Sequence, residues 1–259
     1  MRLIKFNMNK ALYILFLIVT TSCGISEDCF KGNGNRITQT FPLDNFTKIK
    51  VYDGVGLVIK EGPNYDVKIE TSDNIIDNLD VRLEGNMLVV KDNSTCNIAR
   101  DYGQTIVYAT LPDGTINPII QELELHSKTE QKIQSNGVLH STIIRLFSIG
   151  DDGDGAGTSD FYIHVDNGQL VVESNNVSNF FITGHCNEML LNFYFGNGRF
   201  YGENLEAEVI KIFQRGSNDM IVKPIQAIEG TIYATGDVIL KNVPPIINVE
   251  EVFTGRLIY

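Results

Sequence analysis

The residues with the densest concentration of chemistry are four acids on and beside a glycine-rich loop: Asp151, Asp152, Asp154 and Asp160. Clustered carboxylates can hold Ca²⁺, which takes about six to eight oxygen ligands. The spacing matches neither an EF-hand loop nor the glycine-rich Ca²⁺ nonapeptide, and it occurs once. A solvated Gly/Asp loop is the expectation, and these four acids remain the candidates for a ligand or for Ca²⁺. Two acids facing each other across a groove could also cleave a glycosidic bond. Neighbours on one loop seldom make such a pair, so no catalytic residue is assigned. Aromatic residues collect at Phe193, Tyr194, Phe195, Phe200 and Tyr201. They could stack against sugar, but alternation along a strand sends the phenylalanines to a core and the tyrosines outward. The histidines at 126, 140, 164 and 185 form no motif, and no CxxC or Cys/His cluster has metal spacing. His185 and Cys186 are strand neighbours that face opposite ways. No cofactor and no metal is expected.

The N-terminus carries a different chemistry. Arg2, Lys5 and Lys10 precede the apolar run 11–19, and Thr20-Thr21-Ser22 leads into Cys23. That run is too short for a membrane-crossing helix, which needs about 20 residues. It reads as a secretory signal. Small residues before a cysteine resemble the lipobox of bacterial lipoproteins, which implies cleavage after residue 22 and acylation of Cys23. Residues 23–42 are expected to be a flexible tether. Its Ser26-Glu27-Asp28 is similar to the export tethers of surface-displayed lipoproteins. Three cysteines then remain, Cys29, Cys96 and Cys186. One disulfide and one buried thiol is the simplest allocation, with the pairing left open.

The whole chain has 259 residues and a net charge of -11. Without residues 1–22 it keeps 18 Lys+Arg against 32 Asp+Glu, a net of -14. Such a surface repels phosphate backbones, so nucleic acid is not an expected partner. It also repels anionic membranes, so contact with a membrane should come through the lipid alone.

The elements that position these residues read as strands. Gly198, Asn218, Gly236 and Gly255 each open a turn before a β-branched or aromatic run, at spacings of 20, 18 and 19 by subtraction. A period near 20 without helical spacing indicates stacked β coils, and the turn positions suit residues that tolerate positive φ. Upstream, Ile49 and Val51 alternate with polar residues, as do Val67 and Ile69. Turns are expected at Asp53-Gly54, Glu61-Gly62-Pro63-Asn64 and Glu84-Gly85-Asn86, with one short helical turn over 73–79.

The order Leu43–Val51, Gly56–Gly62, Asp66–Glu70, Asp73–Ile76 and Val81–Val90 is similar to the start of the auto-transporter adhesin head (GIN) domain family. Thr235-Gly236-Asp237-Val238 resembles its repeated coil motif. The resemblance covers residues 43–259 and weakens over 93–157. It implies an all-β, right-handed parallel β-helix-like solenoid and an adhesin role without catalytic residues. The expected protein is a lipid-anchored outer-membrane solenoid, periplasmic or surface-exposed, that acts as an adhesin or binding module. Its expected ligand is a glycan or protein, with self-association through the end strands. The alternative is an envelope protein that binds or cleaves carbohydrate through an acidic loop or groove.

Overall fold

The computed structural model describes residues 27–94, 96, 98–113, 121–150 and 157–259. The chain is all-β, and its strands join into one curled, half-barrel sheet. Strands β1 (Arg36–Phe41), β2 (Lys48–Tyr52), β3 (Val55–Gly62), β4 (Asp66–Ser72), β5 (Leu79–Glu84), β6 (Met87–Asp92) and β7 (Thr105–Pro112) come first. Then follow β8 (Glu122–Lys128), β9 (Ile133–Leu139), β10 (Ile143–Ser148), β11 (Asp160–Ser174), β12 (Asn179–Phe193), β13 (Arg199–Gln214), β14 (Met220–Ile232), β15 (Val238–Leu240), β16 (Ile246–Glu251) and β17 (Leu257–Ile258). The only helical pieces among the described residues are two 3-10 turns, Glu27–Phe30 and Ile76–Asn78. The second lies in the stretch expected to make a helical turn.

The long strands β11 to β14 run through two faces of the sheet, and each continues into the next by a tight turn. One residue position therefore recurs directly above itself. Phe161 pairs with Phe180, then Phe200, Met220, Val238 and Leu257, steps of 19, 20, 20, 18 and 19 by subtraction. On the other face Leu170, Met189, Ile210, Ile228 and Ile247 form the matching column. All these pairings are parallel, and they bear out the period near 20. Alternate side chains point inward, and one continuous apolar core runs from Phe46 to Leu240. Small buried hydroxyls fill corners of the stack: Ser127 meets Ser159 at 2.5 Å, and Ser148 meets Ser178 at 2.7 Å.

The first third departs from a simple succession of coils. The β2–β3 unit lies between β6–β7 on one side and β8–β9 on the other. A later coil is thus inserted beneath an earlier one. The chain returns through antiparallel strands: β4 pairs β7, β1 pairs β4, and β5–β6 is a hairpin turning on Gly85 and Asn86. The expectation of one unbroken parallel stack starting at residue 43 fails here for a topological reason. Antiparallel neighbours can be joined by short turns, which lets β4 and β5 double back without a full coil. The expected tether is also shorter than 23–42, because Arg36–Phe41 are β1 and pair along their whole length with β4.

The turn glycines have a different cause from the one their sequence suggests. Gly236 and Gly255 do not take positive φ. A Cβ at Gly236 would lie 2.2 Å from the Asn218 carbonyl oxygen, and one at Gly255 would lie 2.5 Å from that of Gly236. Glycine is needed there because each turn sits on the turn below.

Candidate binding surface

The coil step decides what the aromatic residues can do. Phe161 and Phe180 stack in the core at 4.7 Å, Phe193 leans on Phe180 at 5.8 Å, and Phe200 is buried in the same column. One position further along each strand, Tyr162, Phe181 and Tyr201 form an outer ladder. Its rings are 4.7 and 4.6 Å apart and nearly parallel, at 6° and 1°. The Lys132 ammonium sits 5.5 Å over the free face of Tyr162. Tyr194, Phe213 and Tyr233 make a second, tilted ladder on the other face of the sheet.

Burial of Phe193 and Phe200 and the outward placement of Tyr194 and Tyr201 match the alternation read from sequence. Phe195 does not: it lies two residues past the end of β12 and is 58% exposed. Alternation stops where the strand stops. The sequence reading missed Tyr162, Phe181, Phe213 and Tyr233. The signal was present as two aromatic triplets with spacings of 19 and 20: 162, 181, 201 and 194, 213, 233. In the parallel ladder ring covers ring, so edges and hydroxyls face solvent. A sugar that stacks needs an open ring face, and that ladder offers little of one.

Of the four candidate acids, Asp151, Asp152 and Asp154 lie outside the described residues. Asp160 opens β11, half-buried, and accepts a hydrogen bond from Asn179 Nδ2 at 2.8 Å. It belongs to a polar column, since Asp160 pairs Asn179, Asn179 pairs Arg199, and Arg199 donates to Asn218. Burial, together with Asp160, pushes the Tyr162 hydroxyl above its ordinary range. Asp160 is thus tied into the stack. Cys23 also lies outside the described residues. Cys29 and Cys96 form the disulfide, and Cys186 is the buried free thiol. Burial pushes that thiol up to about 12, which keeps it protonated and unreactive. His185 does face away from it, toward Asp166 and Glu208.

One group of three potential metal ligands exists among the described residues, and it was not legible in sequence. Glu61, Asp113 and His140 end or follow β3, β7 and β9, and their ligand atoms lie within 4.8 Å of one another. The sheet brings them together from positions far apart in the chain. Glu61 already accepts from the His140 backbone N–H at 2.7 Å and faces its Nδ1 at 2.8 Å. That arrangement clamps the end of β3 to the end of β9.

Among the described residues, exposed large apolar side chains collect at the last coil. Among the described residues β16 pairs with β14 alone and β17 with β15 alone, so no described strand pairs their other edges. Beside those edges Ile246 is 60% exposed, Phe253 59% and Ile258 40%. Strand edges with exposed apolar side chains are templates for pairing with another chain. No helix among the described residues is long and apolar enough to cross a membrane.

Comparison with known proteins follows the same lines. A crystal structure of a putative adhesin from Bacteroides fragilis superimposes with a TM-score of 0.72 at 16% identity, covering 88% of this chain and 98% of that one. A putative lipid binding protein from Parabacteroides distasonis matches with a TM-score of 0.55 at 14% identity, over 88% of this chain and 100% of that one. A putative adhesin from Parabacteroides merdae gives 0.55 at 13%, over 88% and 98%. At such identities the likeness is one of fold. No curated protein matches the sequence. Residues 45–244 match the family model described as "Putative auto-transporter adhesin, head GIN domain", and the chain belongs to that family.

Proposed function

We propose that the protein is a non-catalytic binding module of the cell envelope, adhesin-like, held to the outer membrane by a lipid on Cys23. Its stacked parallel coils form a right-handed β-solenoid that carries a contact surface away from the membrane. The observation that carries the reading is the last coil, where edges of β16 and β17 that no described strand pairs lie beside exposed Ile246, Phe253 and Ile258. Such an edge suits a protein partner, because backbone hydrogen bonds supply affinity and apolar side chains supply fit. A second copy of the chain, paired through the same edge, is one such partner.

The test uses cells that display the full chain. Cys23→Ala should release the protein from the membrane fraction. Cells displaying the wild type should adhere to one another or to a protein-coated surface more than cells displaying Phe253→Asp/Ile258→Asp at equal surface level. Equal adherence of the two would overturn the edge as the contact surface. Protection of the wild type from protease until the outer membrane is opened would move the module to the periplasm.

A further inference from the structure

Glu61, Asp113 and His140 stand at the C-terminal ends of three neighbouring parallel strands. In the sheet β3 lies between β7 and β9. Glu61 is the penultimate residue of β3, Asp113 follows the last residue of β7, and His140 follows the last residue of β9. The ladder sets their heights. Gly62 pairs with Pro112, and the Asp113 N–H donates to the Gly62 carbonyl at 3.0 Å. On the other side the His140 N–H donates to Glu61 Oε1 at 2.7 Å. Each strand thus delivers one potential ligand, from positions 52 and 27 residues apart by subtraction.

Burial and a ring nitrogen set this group apart from the exposed acids of an acidic surface. The Glu61 side chain is only 8% exposed and that of His140 33%. The three ligand atoms lie within 4.8 Å of one another, with Glu61 Oε2 at 2.8 Å from His140 Nδ1. Two carboxylates held so close repel, and a neutral imidazole beside them offers a hydrogen bond but no charge. A divalent cation offsets both carboxylates at once. Ligands of a tetrahedral Zn²⁺ stand about 2.0–2.2 Å from the metal and so about 3.4 Å from one another. Side-chain rotations, without movement of the strands, take the group to that spacing. The His140 backbone N–H stays on Oε1 and leaves Oε2 to the metal, the kind of outer contact that orients a ligating carboxylate.

We infer that Glu61, Asp113 and His140 are a binding site for a divalent transition-metal ion of the Zn²⁺ type. One imidazole nitrogen with two carboxylates is a donor set that suits Zn²⁺, whereas Ca²⁺ and Mg²⁺ take oxygen. Three protein ligands leave the fourth position of a tetrahedron to water or to a donor from outside the chain. The bound ion ties the ends of β3, β7 and β9 together, and no catalytic step is assigned to it. The site shares no residue with the terminal edge and stands whether or not that edge is a contact surface.

Calorimetry with zinc chloride tests it, on the full chain stripped with EDTA and held in a buffer that does not bind metal. Saturable heat for one ion per chain is expected, unchanged by millimolar calcium chloride. Asp113→Asn and His140→Ala should each weaken zinc binding at least tenfold. Zinc at about a hundredfold excess over its Kd should raise the wild-type melting temperature by about 5 °C or more. It should leave each variant near its own metal-free value. Each variant is compared with itself, so any stability lost through the substitution does not enter. No saturable zinc heat with the wild type, or wild-type zinc affinity in both variants, would overturn the site. Loss of the zinc heat in millimolar calcium would overturn the choice of a transition metal.

Discussion

At the scale of single residues, two glycines separate backbone strain from crowding. Gly85 has φ of 62°, and a Cβ there would meet nothing within 4 Å. Gly184 has φ of 110°, and its Cβ would fall 2.0 Å from the Val165 carbonyl oxygen of the neighbouring coil. Gly85→Ala carries only the left-handed cost, about 1–2 kcal/mol. Gly184→Ala adds a clash with backbone that cannot move without opening the β11–β12 pairing, so a loss of about 4 kcal/mol or more is expected. Urea unfolding of the two variants checks this, and equal losses would mean that the coils shift freely. Gly236 teaches the same lesson: its type was readable, but its reason is a turn 18 residues earlier, which sequence order conceals.

At the scale of elements, the ladders predict an asymmetry between adjacent side chains. Phe180 is fully buried and packs on Phe161 and Phe193, so Phe180→Ala should cost about 3–5 kcal/mol. Phe181 lies one position on, in the outer ladder, and loses mainly its two ring contacts, about 1–3 kcal/mol at most. Denaturant midpoints measure the difference. Strand β8 adds a pH dependence. Burial lowers the His126 pKa below its ordinary 6.5, against the opposing pull of Glu124. The folded state therefore binds fewer protons than the unfolded one once pH falls to about 6.5, and stability declines from there down to the folded value. Burial raises the Glu124 pKa, but Lys48 and His126 outweigh it and lower it below 4.5. The stability Glu124 contributes is present above that value and is lost as pH falls through its folded pKa. Melting temperature should thus drop in two stages on acidification. His126→Gln should remove the upper stage and leave the lower.

At the scale of the whole molecule, the disulfide ties the segment before β1 to the loop after β6. Cys29 and Cys96 are 67 residues apart. Loop-closure entropy for a ring of that size is worth about 4 kcal/mol. Cys29→Ser/Cys96→Ser should lose stability of that order in chemical unfolding, and an unchanged midpoint would show that the unfolded chain is not constrained by the bridge. The loss should be felt first in β1, β4 and β7, where pairing is antiparallel and lies outside the stack of long coils.

Much of this architecture is determined by sequence alone. Strand alternation, the turns at 53–54 and 84–86, the step near 20 residues and the outward tyrosines follow from local chemistry: side chains alternate along a strand, and turns need small or flexible residues. The resemblance that begins at Leu43 marked the family. The tertiary structure decided what depends on contact between distant segments. It inserted β6–β7 beside β2–β3, chose Cys96 for Cys29, and set Glu61, Asp113 and His140 side by side. In each case the partners lie tens of residues apart. Parallel stacking selects them by height in the pile, and no local pattern along the chain records that height.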